Sequence, residues 1–200
     1  MQAAHPALPC FELDHPATQE VKLKVREVTP PDAAPVLIPA DLTGVSPAEL
    51  LRAETRFRVE RPTLFIAEGL LMYLPPARVE SLFQELAAFA APGSRFALTW
   101  MVANPDRPLT FHQSSRAIGW WLRWRREPFQ WELPRDQVDS FAEAHGWHLA
   151  AMSSPEEIRR RFLSPHGLEN ESLAEGESVA LLVKGDQKDQ PINESPALPA

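Results

Sequence analysis

The sequence predicts an α/β fold organised on a mostly parallel sheet. Two observations carry that expectation. Short apolar runs rich in β-branched and aromatic residues alternate with segments whose apolar residues recur at helical spacing, and Pro or Gly stands at most junctions between them. A bundle would lack the short runs, and a sandwich would lack the helical stripes.

"CFELD", residues 10–14, reads as a strand because Phe11 and Leu13 alternate with polar neighbours and Asp14 closes the run. Pro16 sits where a first helical turn tolerates a missing N–H. Val21, Val25 and Val28 then set one apolar stripe along a surface helix over residues 16–28. "PVLIPA" reads as a second strand followed by Asp41, and a short helix fits residues 47–55. "PTLFIAEG" is a continuous apolar run, too short for a helix and suited to burial on both faces.

Pro75 and Pro76 open a helix whose Val79, Leu82, Phe83, Leu86 and Phe89 share one face, and Pro92 and Gly93 stop it. "SRFALTWMV" is a strand. A helix over residues 134–145 carries Val138, Phe141 and Ala142, with Gly146 as its C′ residue. "WHLAA" and "SVALLVKG" complete the strands. The expected organisation is one domain over residues 1–185, since 200 residues at 44% hydrophobic content support one proper core. Residues 186–200 are polar and aperiodic and read as a disordered tail.

A formal net charge of -7 argues against nucleic acid and anionic membranes as partners and leaves small molecules or proteins. One cysteine, Cys10, excludes an internal disulfide and a Cys-based zinc site, which fits a cytoplasmic setting. "MQAAHPALPC" has neither the basic nor the apolar region of a secretory signal, and no run approaches bilayer-spanning length.

In an open α/β sheet, ligands sit at the carboxyl ends of the strands. Asp14, Asp41 and Glu68 each follow a strand, which would set three carboxylates along one crevice. Singly, Asp14 reads equally as a helix cap, Asp41 as an Asx-type turn and Glu68 as a solvated end residue. Together they suit a hydroxyl-rich, nucleoside-like ligand, because a carboxylate accepts hydrogen bonds from neighbouring ribose hydroxyls and from amino groups.

"FELDHPATQ", "PADLTG" and "PTLFIAEGLLMYLPPARVESLF" together resemble the leucine carboxyl methyltransferase family, in its bacterial branch of S-adenosylmethionine-dependent O-methyltransferases. The resemblance runs over roughly residues 8–183, and "AEGLLMYL" is its most specific segment. It implies a Rossmann-like class I methyltransferase sheet with S-adenosyl-L-methionine as cofactor. Asp14 would bind the ribose hydroxyls, Asp41 and Leu42 the adenine end, and Glu68 would also touch the cofactor. The acceptor would be a carboxylate or hydroxyl of a small molecule or protein. No metal and no catalytic side chain are implied: a carboxylate acceptor is already ionised, and His15, His112, His145, His148 and His166 form no recognisable constellation for a base. Tyr73 reads as packing rather than as a substrate contact. The tryptophans of residues 100–131, interleaved with Arg123, Arg125 and Arg126, read as a helix with a core face and solvated arginines rather than as a substrate lid or a nucleic-acid patch.

The family pattern begins with a strand and a glycine-rich loop that this sequence does not show, since its eight glycines occur singly. The chain therefore reads as N-terminally shortened, with impaired activity or as a non-catalytic remnant that keeps part of a nucleoside pocket. The strand around Phe11 is expected to pair directly with the strand around Phe65, or else the chain is expected to self-associate through exposed sheet edges or to be unstable. An NAD-dependent redox enzyme also places an acid after its second strand, but it needs a glycine fingerprint and leaves "EGLLMYL" unexplained.

Overall fold

The computed structural model describes residues 8–26, 35–104, 109, 128–171, 173 and 176–185. The tail, the N-terminal residues and most of the tryptophan–arginine segment, including His112, lie outside them. The described strands form two sheets. In the first, β1 (Phe11–Asp14) runs parallel to β2 (Val36–Pro39), joined through α1 (Pro16–Arg26). In the second, four strands lie in the order β3 (Leu64–Ala67), β4 (Arg95–Met101), β6 (Glu177–Val183), β5 (His148–Ser153). β3 and β4 are parallel, whereas β6 runs antiparallel to both of its neighbours.

The helix over Pro76–Phe89, α3, has the predicted face. Val79, Leu82, Phe83, Leu86 and Phe89 are all buried, and Phe83 meets Phe96 of β4 at a ring separation of 5.1 Å. Between β2 and β3 lies the short α2 (Pro47–Ala53), whose Ser46 cap accepts the Glu49 N–H. The helix expected over residues 134–145 begins as a 3-10 turn and becomes α4 (Val138–Ala144). Gly146, at φ +82°, ends it as its C′ residue should. Trp147 then drops into the core with no exposure, its indole N–H donating to the Phe83 carbonyl at 3.0 Å. Its ring touches those of Phe65 and Phe96, which fastens α3 to the strands beneath.

Two expectations are corrected. The first is the direct pairing of the strands around Phe11 and Phe65: among the described strands β1 pairs with β2 alone and β3 with β4 alone. The first sheet instead joins the core through rings, because Phe57 stands edge-on to Phe11 at 5.4 Å and stacks on Phe89 at 5.2 Å. The second is the apolar stripe of the first helix. Val21 is 60% exposed, while Gln19, 1% exposed, is the buried residue among the described side chains of α1, its amide donating to the Glu12 carbonyl at 3.0 Å. A two-stranded sheet of four-residue strands offers little apolar area, so a polar side chain finding a backbone carbonyl docks the helix instead. Val28 and the side chain of Val25 lie outside the described residues.

A further segment had no sequence assignment. β5 leads into α5 (Pro155–Ile158), a π turn over Arg159–Leu163 and a 3-10 turn over Ser164–His166. Its signal was present in "SPEE", where Ser154 and Glu157 form a reciprocal capping box.

Candidate functional site

Parallel strands deliver their carboxyl ends to one edge, so the register of β1 on β2 decides what meets there. Asp14 lies opposite Pro39, and Asp41 follows two residues later, which sets both carboxylates at the same end of the first sheet. Asp14 is half-buried. Its Oδ1 accepts the His15 backbone N–H at 2.7 Å and its Oδ2 accepts Lys22 Nζ at 2.7 Å. Lys22 also donates to Glu12, and these two carboxylates, Asp14 foremost, raise the lysine's pKa. Each carboxylate oxygen has two lone pairs, so Asp14 keeps acceptor capacity beyond these two contacts.

Asp41 is exposed and folds its own turn. Its Oδ1 accepts the Thr43 hydroxyl at 2.7 Å and the Thr43 N–H at 3.0 Å, and its carbonyl accepts the N–H groups of Gly44 and Val45, both at 3.1 Å. The Thr43 hydroxyl, then its amide, hold the Asp41 carboxyl below its ordinary range, with a smaller contribution from nearby His15. The Asx-type turn is therefore real, and it coexists with a carboxylate at the sheet edge. Leu42, half-buried, presents apolar surface beside it.

Glu68 follows β3 in the other sheet and is exposed. It is placed through its neighbour: Gly69, at φ +62°, donates its N–H to Thr99 Oγ1 of β4 at 2.9 Å. Asp14 and Asp41 thus share the carboxyl end of one sheet, and Glu68 follows a strand of the other. Tyr73 packs against Phe129 at 5.4 Å, and its carbonyl accepts the Gln130 amide at 2.6 Å. Trp100 and Trp131 are core, while Arg123, Arg125 and Arg126 lie outside the described residues.

The described histidines are placed without a shared partner for base chemistry. His15 is exposed, His145 binds the Phe141 carbonyl at the end of α4, His148 lies 3.9 Å from Glu143, and His166 ends a 3-10 turn. No three His, Cys, Asp or Glu residues converge to hold a metal among the described residues, and none of the described helices is long and apolar enough to cross a membrane. The sequence reading missed Lys22, Thr43, Arg78 and Thr99, which hold the site in place. Thr43 was readable from its spacing to Asp41, an Asx pattern; Thr99 acts from a strand two elements away and left no local signal.

The leucine carboxyl methyltransferase family matches residues 2–87. A protein of Mycolicibacterium smegmatis, named as an S-adenosyl-L-methionine-dependent methyltransferase, is 33% identical over 155 residues, covering 73% of this chain and 49% of that protein. Over its first part the chain is similar to the leucine carboxyl methyltransferase family. A relative in Mycobacterium marinum with the same kind of name is 33% identical over 150 residues, 70% of this chain and 47% of its own. The chain thus spans about half the length of the curated relatives it matches.

Solved structures share its fold at low identity. Mitomycin 7-O-methyltransferase matches with a TM-score of 0.56 at 11% identity, over 92% of this chain and 44% of that one. An O-methyltransferase family protein from Burkholderia thailandensis matches at 0.55 and 12%, over 92% and 46%. Human N-acetylserotonin methyltransferase, solved with SAM, matches at 0.52 and 11%, over 92% and 43%. The fold is the mixed α/β fold of class I methyltransferases.

Proposed function

We propose that this chain carries the adenosine-binding part of an S-adenosyl-L-methionine-dependent O-methyltransferase whose acceptor is a carboxylate or hydroxyl of a small molecule or protein. The observation that carries this reading is the pair Asp14 and Asp41, both set at the carboxyl end of parallel β1 and β2 in a chain similar to this family. Asp14 would accept the ribose hydroxyls, oriented by the His15 N–H and by Lys22. Asp41 would accept the exocyclic amine of adenine, Leu42 would lie against the base, and Glu68 would approach from the edge of the second sheet.

These acceptors suit the adenosine end of the cofactor. A methionine tail calls for backbone N–H groups at a glycine turn, and the glycines of this chain occur singly. When bound, S-adenosyl-L-methionine supplies a methyl group on a sulfonium; the residues present bind and orient the nucleoside. A carboxylate acceptor arrives ionised and needs no base. The single cysteine and the acidic surface fit a reducing, cytoplasmic setting.

A second reading, a non-catalytic domain retaining part of a nucleoside pocket, is favoured by one observation: Lys22 already occupies both Glu12 and Asp14. Calorimetric titration of the purified chain with adenosine, S-adenosylhomocysteine and S-adenosylmethionine separates them. Binding abolished by Asp14→Asn and Asp41→Ala supports the nucleoside site, and methyl transfer to a carboxylate or hydroxyl acceptor supports the enzyme. Binding without transfer selects the second reading. No binding of any of the three at millimolar ligand refutes both.

A further inference from the structure

Arg78 lies in the first turn of α3, ten residues beyond Glu68, and its side chain is only 11% exposed. A guanidinium removed from water this far must satisfy its N–H groups. It does so in two directions. Nη1 and Nη2 donate to the two carboxylate oxygens of Glu85, at 2.8 Å and 3.4 Å. On its other side Nε donates to the Leu42 carbonyl at 2.7 Å and Nη2 to the Val45 carbonyl at 2.9 Å. Glu85 is seven residues along the same helix, two turns away and therefore on the same face, so it fixes the plane of the fork before the loop is met.

The loop that Arg78 grips is the one that carries Asp41 and Leu42. Asp41 closes this turn from within, through Thr43 and through the Gly44 and Val45 amides. Nothing in that internal closure fixes the turn relative to the rest of the molecule, because its bonds all run between residues 41 and 45. The two carbonyl contacts of Arg78 do fix it, and they tie the edge of the first sheet to the helix that packs on the second. A lysine at 78 would keep the charge but could not hold both carbonyls and a carboxylate in one plane.

We propose that Arg78, clamped by Glu85, is the positioning residue that sets the turn over residues 41–45, and so fixes where Asp41 meets the base of a bound nucleoside. The proposal rests on the nucleoside reading above and deepens it: the Arg78–Glu85 clamp determines selectivity for an amino-bearing purine.

The test pairs two readouts on the intact chain: hydrogen exchange at the Thr43, Gly44 and Val45 amides, and affinity for S-adenosylhomocysteine against S-inosylhomocysteine, in which a carbonyl replaces the exocyclic amine. Arg78→Ala and Arg78→Lys are expected to speed exchange in the turn. They should also cut the preference for the adenine ligand about tenfold, the equivalent of one well-made hydrogen bond to a charged group. Glu85→Gln, which keeps the arginine and loosens its clamp, should give a smaller change of the same kind, and all three should melt close to the parent. Unchanged exchange in both Arg78 variants overturns the proposal. Faster exchange with the preference intact overturns it as well, since the turn would then move without consequence for recognition. If the parent chain binds neither ligand, the nucleoside reading itself falls, and the clamp's role in recognition falls with it; a parent that binds with preference while the variants keep that preference refutes the clamp alone.

Discussion

Replacing Trp147 should show how far the helix layer depends on one side chain. Trp147 has no exposure, touches the rings of Phe65 at 6.3 Å and Phe96 at 5.5 Å, and donates its indole N–H to the Phe83 carbonyl at 3.0 Å. Trp147→Phe removes the hydrogen bond and part of the ring. Phe83 lies inside α3, where its carbonyl also faces the N–H four residues on, so losing the indole leaves that oxygen with a partner. The bond should therefore cost about 1 kcal/mol, the net value of an ordinary one, and not the larger penalty of an orphaned group. The space left by the smaller ring adds about 1 kcal/mol more.

Trp147→Ala forfeits the ring contacts as well and should cost about 4 kcal/mol, a large share of the ~5–15 kcal/mol that holds a domain together. Urea unfolding followed by circular dichroism reads this directly. With m of about 2 kcal/mol/M, the Ala variant should lose about 2 M in midpoint and the Phe variant about 1 M, with m unchanged. Equal losses in the two variants would show that the hydrogen bond dominates and that the packing account is wrong. An Ala variant within about 0.5 kcal/mol of the parent, the range of ordinary surface changes, would mean that α3 is not fastened to the sheet through this residue.

Three further outcomes are expected. Thr43→Val removes the largest of the three contributions that lower the Asp41 pKa, so its titration should move up toward the ordinary carboxyl value. A lowered carboxyl stabilises above its unfolded value and loses that contribution as pH falls through the folded one, so the variant should differ from the parent least at strongly acidic pH; identical Asp41 carboxyl titrations by NMR would refute this. Gly69→Ala meets no atom within 4 Å of the added carbon, so its cost isolates the φ of +62°, about 1 kcal/mol by thermal unfolding; a neutral result would mean that the Glu68 turn relaxes freely. Ile66→Lys places a charge on β3, the edge strand of its sheet among the described strands, where Ile66 is 55% exposed. It should leave stability within about 0.5 kcal/mol and weaken self-association in sedimentation. A parent that stays monomeric at high concentration, or a Lys variant that associates equally, would remove the edge as a contact.

That edge has a defined phase. The Arg95 N–H donates to the Thr63 carbonyl, so Phe65 and Ala67 turn their backbone groups toward β4, while Leu64 and Ile66 turn theirs outward. The same two residues expose their side chains, at 47% and 55%. The continuous apolar run "PTLFIA" led to an expectation of burial on both faces, and the structure buries only Phe65 and Ala67. The run reports that the strand is suited to cover on both sides; it does not say whether the covering chain is present.

Local patterns carried most of what was legible. α3 follows from its Pro pair and the spacing of its five apolar residues, and Gly146 from the need for a left-handed C′ position, because both are decided within one helix. Asp14 and Asp41 were locatable because a strand end is a local event. Their adjacency depended on β1 pairing with β2, which the parallel-sheet expectation allowed. Long-range choices were hidden. That Gln19 rather than Val21 docks α1 depends on the small area of a two-stranded sheet. That Arg78 reaches the 41–45 turn depends on a tertiary contact across more than thirty residues, for which the helical position of Glu85 was the only clue in the sequence.

The order β3-β4-β6-β5 has a consequence for how this chain is made. β6, over residues 177–183, is the last of the described strands along the chain, yet it lies between β4 and β5 and is the one pairing partner of β5 among them. The Gly93 N–H also donates to the Lys184 carbonyl, and Lys184 returns its N–H to Ser94, which ties the final strand to the turn before β4. During translation β5 must therefore wait, emerged and unpaired, until some thirty further residues have left the ribosome, with its ladder groups open to chaperones or to neighbouring chains. Emergence of β6, and not of the helices before it, is the event that closes the sheet.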